Sequence, residues 1–270
     1  AARELLANLP LREVRGQYKR TILGRLWSLL NPLATMLVYT IVFAFILRVQ
    51  PAPGDPSGVD VFAVWLLCGL LPWAFFANVV QTGMGSIIAN AGLVQKVYFP
   101  RIVLPLSLTG SIGINWLFEM GVLAIALIIV GSYFLPWVPL ALLMMVLLAA
   151  YATGLALVLA IANVYFRDTQ YLMGIVMQIW FYLTPVIYPA SLVKDPSDRL
   201  GGLLGTSITV LDIYRLNPME RFVEIMRNLL YDNRWPAVDD MLYFAIVSLL
   251  SLVIGVLIFR RFESRMAELI

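Results

Sequence analysis

Long apolar runs alternate with short polar segments along this chain. A helix needs about 20 apolar residues to cross roughly 30 Å of hydrocarbon. Runs of that length predict membrane-spanning helices at about 27–48, 61–83, 106–130, 137–162, 169–188 and 241–260. A turn-forming sequence at 131–136 separates the third and fourth of them. We therefore predict an all-α membrane protein with a six-span transmembrane domain at 26–270.

Basic residues collect in the segments at one predicted face of the membrane. They are Arg12, Arg15, Lys19, Arg20 and Arg25 before the first span, Lys96 and Arg101 between the second and third, Arg167 after the fourth, and Arg260, Arg261 and Arg265 after the sixth. Short cytoplasmic loops carry an excess of Lys and Arg. We therefore predict a multi-pass protein of the plasma (inner) membrane with both termini in the cytoplasm, and an external segment at 189–240.

The segment 1–25 is amphipathic. Leu11, Val14, Tyr18 and Ile22 follow a spacing of three and four residues among basic ones, which is typical of one face of a helix. Such a helix lies in the membrane interface, with its basic side chains at phosphate level. A simple topology anchor is the alternative. The segment lacks the form of a signal peptide, so we expect the first span to stay in the mature protein.

Asn217 and Pro218 predict the start of a helix in the external segment, because Asn caps free amides and Pro loses no hydrogen bond at the first helical position. An apolar stripe with charges opposite follows at Phe222, Ile225, Met226, Leu229 and Leu230. We predict a short external helix that lies on the membrane or on the bundle. Its role is open between a packed surface helix and a gate over an exit.

Composition agrees with the membrane assignment. Apolar residues make up 61% of the chain and charged residues 13%, whereas soluble domains have roughly 25% charged residues. The net charge of +3 comes from basic residues at the edges of apolar runs, which indicates topology rather than a nucleic-acid partner. Cys68 is the only cysteine and histidine is absent. We expect no intramolecular disulfide and no metal site.

Motifs for enzyme chemistry are missing from the sequence. It contains no phosphate-binding loop GxxxxGK(S/T), no HExxH and no GxSxG, so we expect a chain without catalysis. Glu119 is the one acid inside a predicted span, and Asn115 lies one turn before it. Ionisable groups within a membrane mark functional sites by default. Pairing inside the bundle or at a subunit interface is the structural alternative for Glu119.

Aromatic residues cluster on the first and fifth predicted spans. Tyr39 and Phe43 are spaced i, i+4, and Trp180, Phe181 and Tyr182 are consecutive. Aromatic rings form interfacial belts in membranes, and they also stack on the C–H faces of sugars. We expect Tyr39, Phe43, Trp180 and Tyr182 to line a channel, with a structural role as the alternative for each ring.

Several blocks of sequence resemble the membrane subunits of ABC polysaccharide exporters, the type 2 ABC exporters that move O-antigens, teichoic acids and capsules. YKRTILGRLWSLLNP at 18–32 resembles the start of the first span in these proteins. Further blocks follow in the right order: GLLPW at 69–73, KVYFPR at 96–101, FRD at 166–168 with TPVIY at 184–188, and LNPM at 216–219.

The resemblance implies a permease subunit without its own ATPase. It implies a homodimer bound to two copies of a cytoplasmic ATPase subunit, which carries ATP and Mg, and no cofactor on this chain. The implied substrate is a polysaccharide on a lipid carrier, threaded through a channel between the two membrane subunits.

Site residues follow by position in the same family. The stretch 92–101 resembles a cytoplasmic coupling helix, so the implied ATPase-coupling residues are Lys96, Tyr98, Phe99, Pro100, Arg101, Arg167 and Asp168. The candidate partners of the lipid head group, by charge, are Arg15, Lys19, Arg20 and Arg25.

Two alternative functions stay open. Another exporter of the same fold type would carry a drug, haem or a simple lipid. A secondary transporter that runs without ATP predicts inverted repeats and more ionisable groups inside the spans, which the sequence does not show.

Overall fold

The computed structural model describes residues 26–48, 51–96, 99–193 and 209–263. Every regular element in these ranges is helical, which confirms the all-α prediction. The elements are α1 (Leu26–Tyr39, continued by a π-helix at Thr40–Ile46), α2 (Phe62–Ala89), α3 (Ala91–Lys96), α4 (Val103–Ile129), α5 (Val138–Tyr165, after a 3₁₀ turn at Leu135–Trp137), α6 (Thr169–Tyr182), α7 (Val210–Tyr214), α8 (Pro218–Arg227, continued by a π-helix at Asn228–Asp232) and α9 (Val238–Phe262). The predicted interface helix at 1–25 lies outside the described residues.

α2 is the central helix of the bundle. Its apolar stretch is 78% buried, against 22% for the corresponding stretches of α4 and α9. α1, α4, α5, α6 and α8 all pack on it. The outer faces of α4 and α9 nevertheless stay apolar, with Ile125 and Leu249 among their exposed side chains. Apolar outer faces are stable when the surrounding solvent is lipid, so the burial pattern supports a membrane domain.

Within the described part of the chain, four helices are long and apolar enough to cross a membrane: α2, α4, α5 and α9. They correspond to the predicted spans at 61–83, 106–130, 137–162 and 241–260. At the predicted span 27–48 the structure has a shorter apolar helix, Pro32–Ile46. The prediction at 169–188 meets α6, which ends at Tyr182, because Pro185 has no N–H and disfavours a helical residue before it. The count of six spans stays a prediction.

α5 and α9 cross at glycines. A Cβ atom at Gly154 would lie 2.3 Å from the backbone carbon and oxygen of Ser251, and a Cβ atom at Gly255 would lie 2.4 Å from the carbonyl oxygen of Gly154. The Ser251 hydroxyl donates to the Tyr151 carbonyl at 3.0 Å. Small residues and interhelical hydrogen bonds are what hold helices together in lipid, so this crossing is one of the main contacts of the bundle.

The two ends of the bundle differ in charge and connection. Val94 of α3 packs at one end with Leu104 of α4, Ile161 of α5 and Phe259 of α9. Lys96, Arg101, Arg167 and Arg260 lie next to these residues in sequence, so the structure gathers at one end the basic residues that the sequence predicts on one face.

The opposite end is formed by the turn after α4 and the segment after α8. Gly131 has a φ of 85°, the left-handed conformation that commonly ends a helix, and this confirms the predicted turn. The Asn233 amide donates to the Ser132 hydroxyl at 3.0 Å. The segment after α8 is thereby joined to the turn between α4 and α5.

The predicted external helix is α8. Asn217 caps it by accepting the Met219 N–H at 3.0 Å, and its apolar stripe is buried against α2 and α9. The charged residues opposite this stripe include Glu220 and Arg227, which are nevertheless only 5% and 4% exposed. The reason is that α8 packs against more than one neighbouring helix.

We expect Gly154→Ala to destabilise the protein by roughly 1–3 kcal/mol, the usual cost of overpacking, because the new methyl group meets the Ser251 backbone. Thermal unfolding in detergent micelles measures the change. Gly121→Ala is the matched control, since a Cβ atom there meets nothing within 4 Å. Equal stability of the two variants would contradict the tight crossing.

Candidate functional site

A small apolar cluster closes the α3 end of the bundle, and we call it the α3 cluster. Phe99 and Ile102 pack against it. Its buried members are Ile87, Val94, Leu104, Leu157, Ala160, Ile161, Val164 and Phe259. These residues come from α2, α3, α4, α5 and α9. A displacement of α3 therefore presses on four long helices at once.

Arg101 fastens the segment after α3 to the end of α9. Its backbone N–H donates to the side-chain carboxylate of Glu263, and its guanidinium donates to the Glu263 backbone carbonyl. The sequence pointed to Arg101 but not to Glu263, because nothing local connects two residues that lie 162 positions apart. The contact adds a charged link to the apolar packing of the α3 cluster.

The surface around the α3 cluster combines charged and apolar side chains. Lys96 and Pro100 are exposed, and so are Arg167 and Asp168 after α5. Leu93 and Phe166 are exposed apolar residues next to this cluster in sequence. Exposed apolar side chains among charges are typical of a surface that binds another protein. Tyr98 lies outside the described residues, as do Arg15, Lys19, Arg20 and Arg25.

Aromatic rings from α1, α2 and α6 form a continuous set of contacts. The Tyr39 ring centroid lies 6.2 Å from that of Phe43 and 6.3 Å from that of Phe181. Trp73 of α2 lies 5.6 Å from Phe181 and 6.4 Å from Trp180. The structure therefore brings the predicted aromatic residues together, through Trp73 and Phe181, which were not among the predicted channel residues.

Trp180 and Tyr182 have different surroundings on α6. The Trp180 indole N–H donates to the Asn217 side-chain oxygen at 2.8 Å, which gives this ring a structural contact with the start of α8. Tyr182 is 55% exposed, and its backbone carbonyl accepts a hydrogen bond from the Tyr188 hydroxyl at 2.7 Å. Of the two rings, that of Tyr182 is the one open to a passing molecule.

Glu119 lies in a small cavity between α1, α2 and α4. Asn115 is buried one turn earlier on α4. The other residues that line the cavity are Pro32, Leu33, Leu67, Leu71, Val122 and Leu123. The Glu119 carboxyl group therefore stands among apolar side chains beside Pro32, where α1 lacks a backbone N–H.

Arg227 is a buried cation that the sequence did not single out. Its two terminal nitrogens donate to the carbonyl oxygens of Pro185 and Val186 at 2.6 and 2.8 Å. Its guanidinium carbon lies 3.6 Å from the centre of the Trp65 ring, a favourable cation–π distance. Burial lowers its pKa to about 10, so Arg227 stays charged at neutral pH.

The residues from 6 to 199 match the sequence profile of a family described as ABC-2 type transporter. The chain belongs to this ABC-2 membrane family. The matched range contains α1 to α6, most of the α3 cluster and the aromatic contacts.

Relatives of this ABC-2 protein cover nearly the whole chain. An O-antigen export system permease protein RfbA of Myxococcus xanthus is 30% identical over 266 residues, 98% of this chain and 95% of the relative. A protein of the same name from Klebsiella pneumoniae is 27% identical over 99% of this chain and 95% of its own length. The polysialic acid transport protein KpsM of Escherichia coli is 27% identical over 95% of this chain and 92% of its own length. α8 and α9 lie beyond the family match but within the similarity to these relatives.

The Glu220 carboxyl group of this ABC-2 protein is buried, and burial disfavours its charged form. Burial, together with the nearby Glu224 and Asp240 carboxylates, raises its pKa from 4.5 to about 7, and Arg215 and Arg221 oppose the rise. The folded protein therefore holds this proton more tightly than the unfolded chain. The stability due to Glu220 is complete below pH 4.5 and is lost as the pH rises through about 7.

We expect Glu220→Gln to stabilise the protein relative to the parent more at pH 8 than at pH 5, by on the order of 2 kcal/mol, because Gln does not ionise in the buried site. Thermal unfolding in micelles at both pH values measures the difference. Asp239→Asn, which removes an exposed carboxylate from α9, is the control. The same pH dependence in parent and Glu220→Gln proteins would show that Glu220 is not the titrating group.

Proposed function

We propose that this ABC-2 protein is the membrane permease subunit of an ATP-driven exporter that moves a lipid-linked polysaccharide from the cytoplasmic side across the plasma membrane. The observation that carries the proposal is near-complete alignment with proteins named for O-antigen export and polysialic acid transport. The chain in this proposal catalyses no reaction, and ATP and Mg bind to a partner subunit.

The proposed assembly is a homodimer of six-span subunits with both termini in the cytoplasm, bound to two copies of an ATPase subunit. Support for the orientation comes from Lys96, Arg101, Arg167 and Arg260 at one end of the bundle, since basic residues favour the cytoplasmic side. Domain limits at 1–25 for an interface helix and 26–270 for the membrane domain belong to this proposal.

The coupling role is assigned to α3 and the segment after it. Lys96, Pro100, Arg167 and Asp168 are exposed at the α3 end, where a partner subunit has access to them. Phe99 and Arg101 face inward, to the α3 cluster and to Glu263. We assign the exposed group, together with Tyr98, to contact with the ATPase, and the inward pair to passing its movement to the long helices.

A test combines assembly and coupling in one experiment. The tagged wild-type chain, purified from its native membrane, is expected to retain a soluble ATPase subunit and to support export. Phe99→Ala with Arg101→Ala is expected to keep the ATPase bound and hydrolysing while surface polysaccharide falls at least about tenfold. The Phe99 ring no longer packs on the α3 cluster, and the Arg101 guanidinium no longer donates to the Glu263 backbone carbonyl at the end of α9. Export is measured as polysaccharide at the cell surface per ATPase turnover.

Arg260→Ala serves as the control, since it removes an exposed cation from the same end without touching the α3 cluster. Unchanged export in the double variant would remove the coupling role. A wild-type chain that retains no ATPase would overturn the proposed function.

The lipid head group is assigned to Arg15, Lys19, Arg20 and Arg25. Four cations close together in sequence suit a pyrophosphate, and Arg adds bidentate hydrogen bonds. Charge reversal of all four is expected to abolish the stimulation of ATPase activity by lipid-linked substrate, with reversal of Arg260 and Arg261 as the control. Equal stimulation in both variants would exclude the assignment.

The path of the glycan is assigned to the face that carries Tyr39, Phe43 and Tyr182, with Trp180 behind it. Rings that contact one another give a continuous apolar surface, which suits a polymer that must slide without stopping. Glu119 and Asn115 are assigned to polar contacts inside the bundle or at the dimer interface. Glu119 lines a cavity with apolar side chains of α1 and α2, and Asn115 is buried one turn earlier on α4.

A further inference from the structure

We infer that Asn217 and Arg227 fasten α8 to the carboxyl end of α6, so that α6 and α8 move as one body against α2 during transport. The inference rests on the proposed function and adds two positioning residues to it. Asn217 acts at the end of α6 and contacts Trp180, the ring behind the proposed channel surface. Arg227 acts through the backbone that follows α6.

Asn217 uses its whole side-chain amide on this junction. Its nitrogen donates to the Thr184 hydroxyl at 2.9 Å and to the Leu183 carbonyl at 3.2 Å. Its oxygen accepts the Trp180 indole N–H at 2.8 Å and the Met219 backbone N–H at 3.0 Å. A side-chain amide has two donor hydrogens and two acceptor lone pairs. Each of them is satisfied, so Asn217 links the last turn of α6 to the first turn of α8.

Arg227 makes the second link, ten positions after Asn217, as the last residue of α8. The chain has left helical geometry after Tyr182, so the carbonyls of Pro185 and Val186 have no partner within α6. The Arg227 guanidinium supplies one N–H to each of them. Hydrogen bonds from a charged donor are roughly twice as strong as neutral ones, and the forked geometry fixes the direction of approach.

α8 meets α2 through contacts of another kind. A Cβ atom at Gly69 would lie 3.1 Å from a methyl carbon of Val223 and 3.0 Å from a terminal nitrogen of Arg227, so the two helices touch closely where Gly69 leaves room. The Arg227 guanidinium stacks over the Trp65 ring. Each pair of atoms in a dispersion contact contributes only about 0.1–0.2 kcal/mol, whereas a hydrogen bond weakens steeply when its angle changes. The α2 contact is therefore the one that slides.

The Asn217 and Arg227 links connect α6 to α8, so that movement at one end of the bundle can reach the other end. α6 begins at Thr169, directly after Arg167 and Asp168, which are assigned to the ATPase contact. It spans 14 residues, or roughly 21 Å at the rise of an α-helix. A push on the residues before α6 therefore reaches α8 through a rigid helix and the fastened junction.

The only cysteine of the chain is a natural reporter of this movement. Cys68 is fully buried in α2, directly before Gly69, where α8 packs. Movement of α6 and α8 against α2 admits reagent to the thiol. The experiment is alkylation by N-ethylmaleimide of the complete complex with its ATPase subunit, in lipid nanodiscs, with and without ATP. Mass spectrometry of the permease chain measures the fraction of Cys68 modified with time.

We expect ATP to raise the alkylation rate of Cys68 several-fold in the wild-type complex. Arg227→Lys keeps the positive charge but loses the paired hydrogen bonds of the guanidinium. Asn217→Ala removes the other link between α6 and α8. Each variant is expected to lose the ATP-dependent rise and most of its export per ATP hydrolysed. Arg221→Lys is the matched control on the same helix, because Arg221 binds Asp240 of α9 at 2.8 Å instead of α6, and it is expected to keep the rise.

Assembly with the ATPase and thermal unfolding are measured for every variant, so that a folding defect is recognised. If Arg227→Lys does not assemble, Asn217→Ala decides, because it leaves the buried charge in place. A wild-type complex that exports without any change at Cys68 overturns the inference alone. An ATP-dependent rise in Cys68 alkylation that persists in the two variants also overturns the inference. The same holds if export by the variants falls only in proportion to their stability. A wild-type complex that does not export overturns the proposed function, and the inference falls with it.

Discussion

Buried backbone groups need hydrogen-bond partners, and the architecture around the end of α6 depends on that demand. Pro185 prevents α6 from continuing, so the carbonyls of Leu183, Pro185 and Val186 lose their helical partners. Asn217 and Arg227 meet all three. A guanidinium is costly to bury without compensation. The carbonyls and the Trp65 ring provide this compensation, and α8 is drawn into the bundle as a result.

The middle of the bundle is held by different forces. α2 is wrapped in apolar side chains, and α5 meets α9 where glycines let the backbones touch. The glycine crossing of α5 and α9 resists deformation, because closely packed backbones transmit strain. Polar links lie at the two ends of the bundle: Arg101 binds Glu263 at one end, and Arg227 binds the carbonyls that follow α6 at the other. Rigid helices between specific end contacts suit a protein that relays movement supplied by a partner.

Charged side chains are buried on α8 but exposed at the α3 end of the bundle. Arg227 and Glu220 are buried on α8, yet Lys96, Arg167 and Asp168 lie exposed at the α3 end. Arg227 serves contacts within the chain, whereas the exposed group is accessible at the surface. This division fits the proposed permease subunit, which receives its energy from a partner at that end.

The sequence alone determined much of this protein. Apolar runs located the long helices, Asn217 and Pro218 marked the start of α8, Gly131 marked a turn, and five sequence blocks pointed to the family. These features are local, since hydropathy, capping and turn preferences act within a few residues. The length of α6 was overestimated, because apolar residues continue past Tyr182 while Pro185 stops the helix.

Only the tertiary structure decided which distant residues meet. The sequence pattern singles out neither Arg227 nor Glu263. Their roles depend on carbonyls and on Arg101, far away in sequence. The aromatic residues of α1 and α6 likewise meet through Trp73, a residue of α2. Periodicity states which face of a helix is apolar, but which neighbour covers that face depends on the packing of all the helices together.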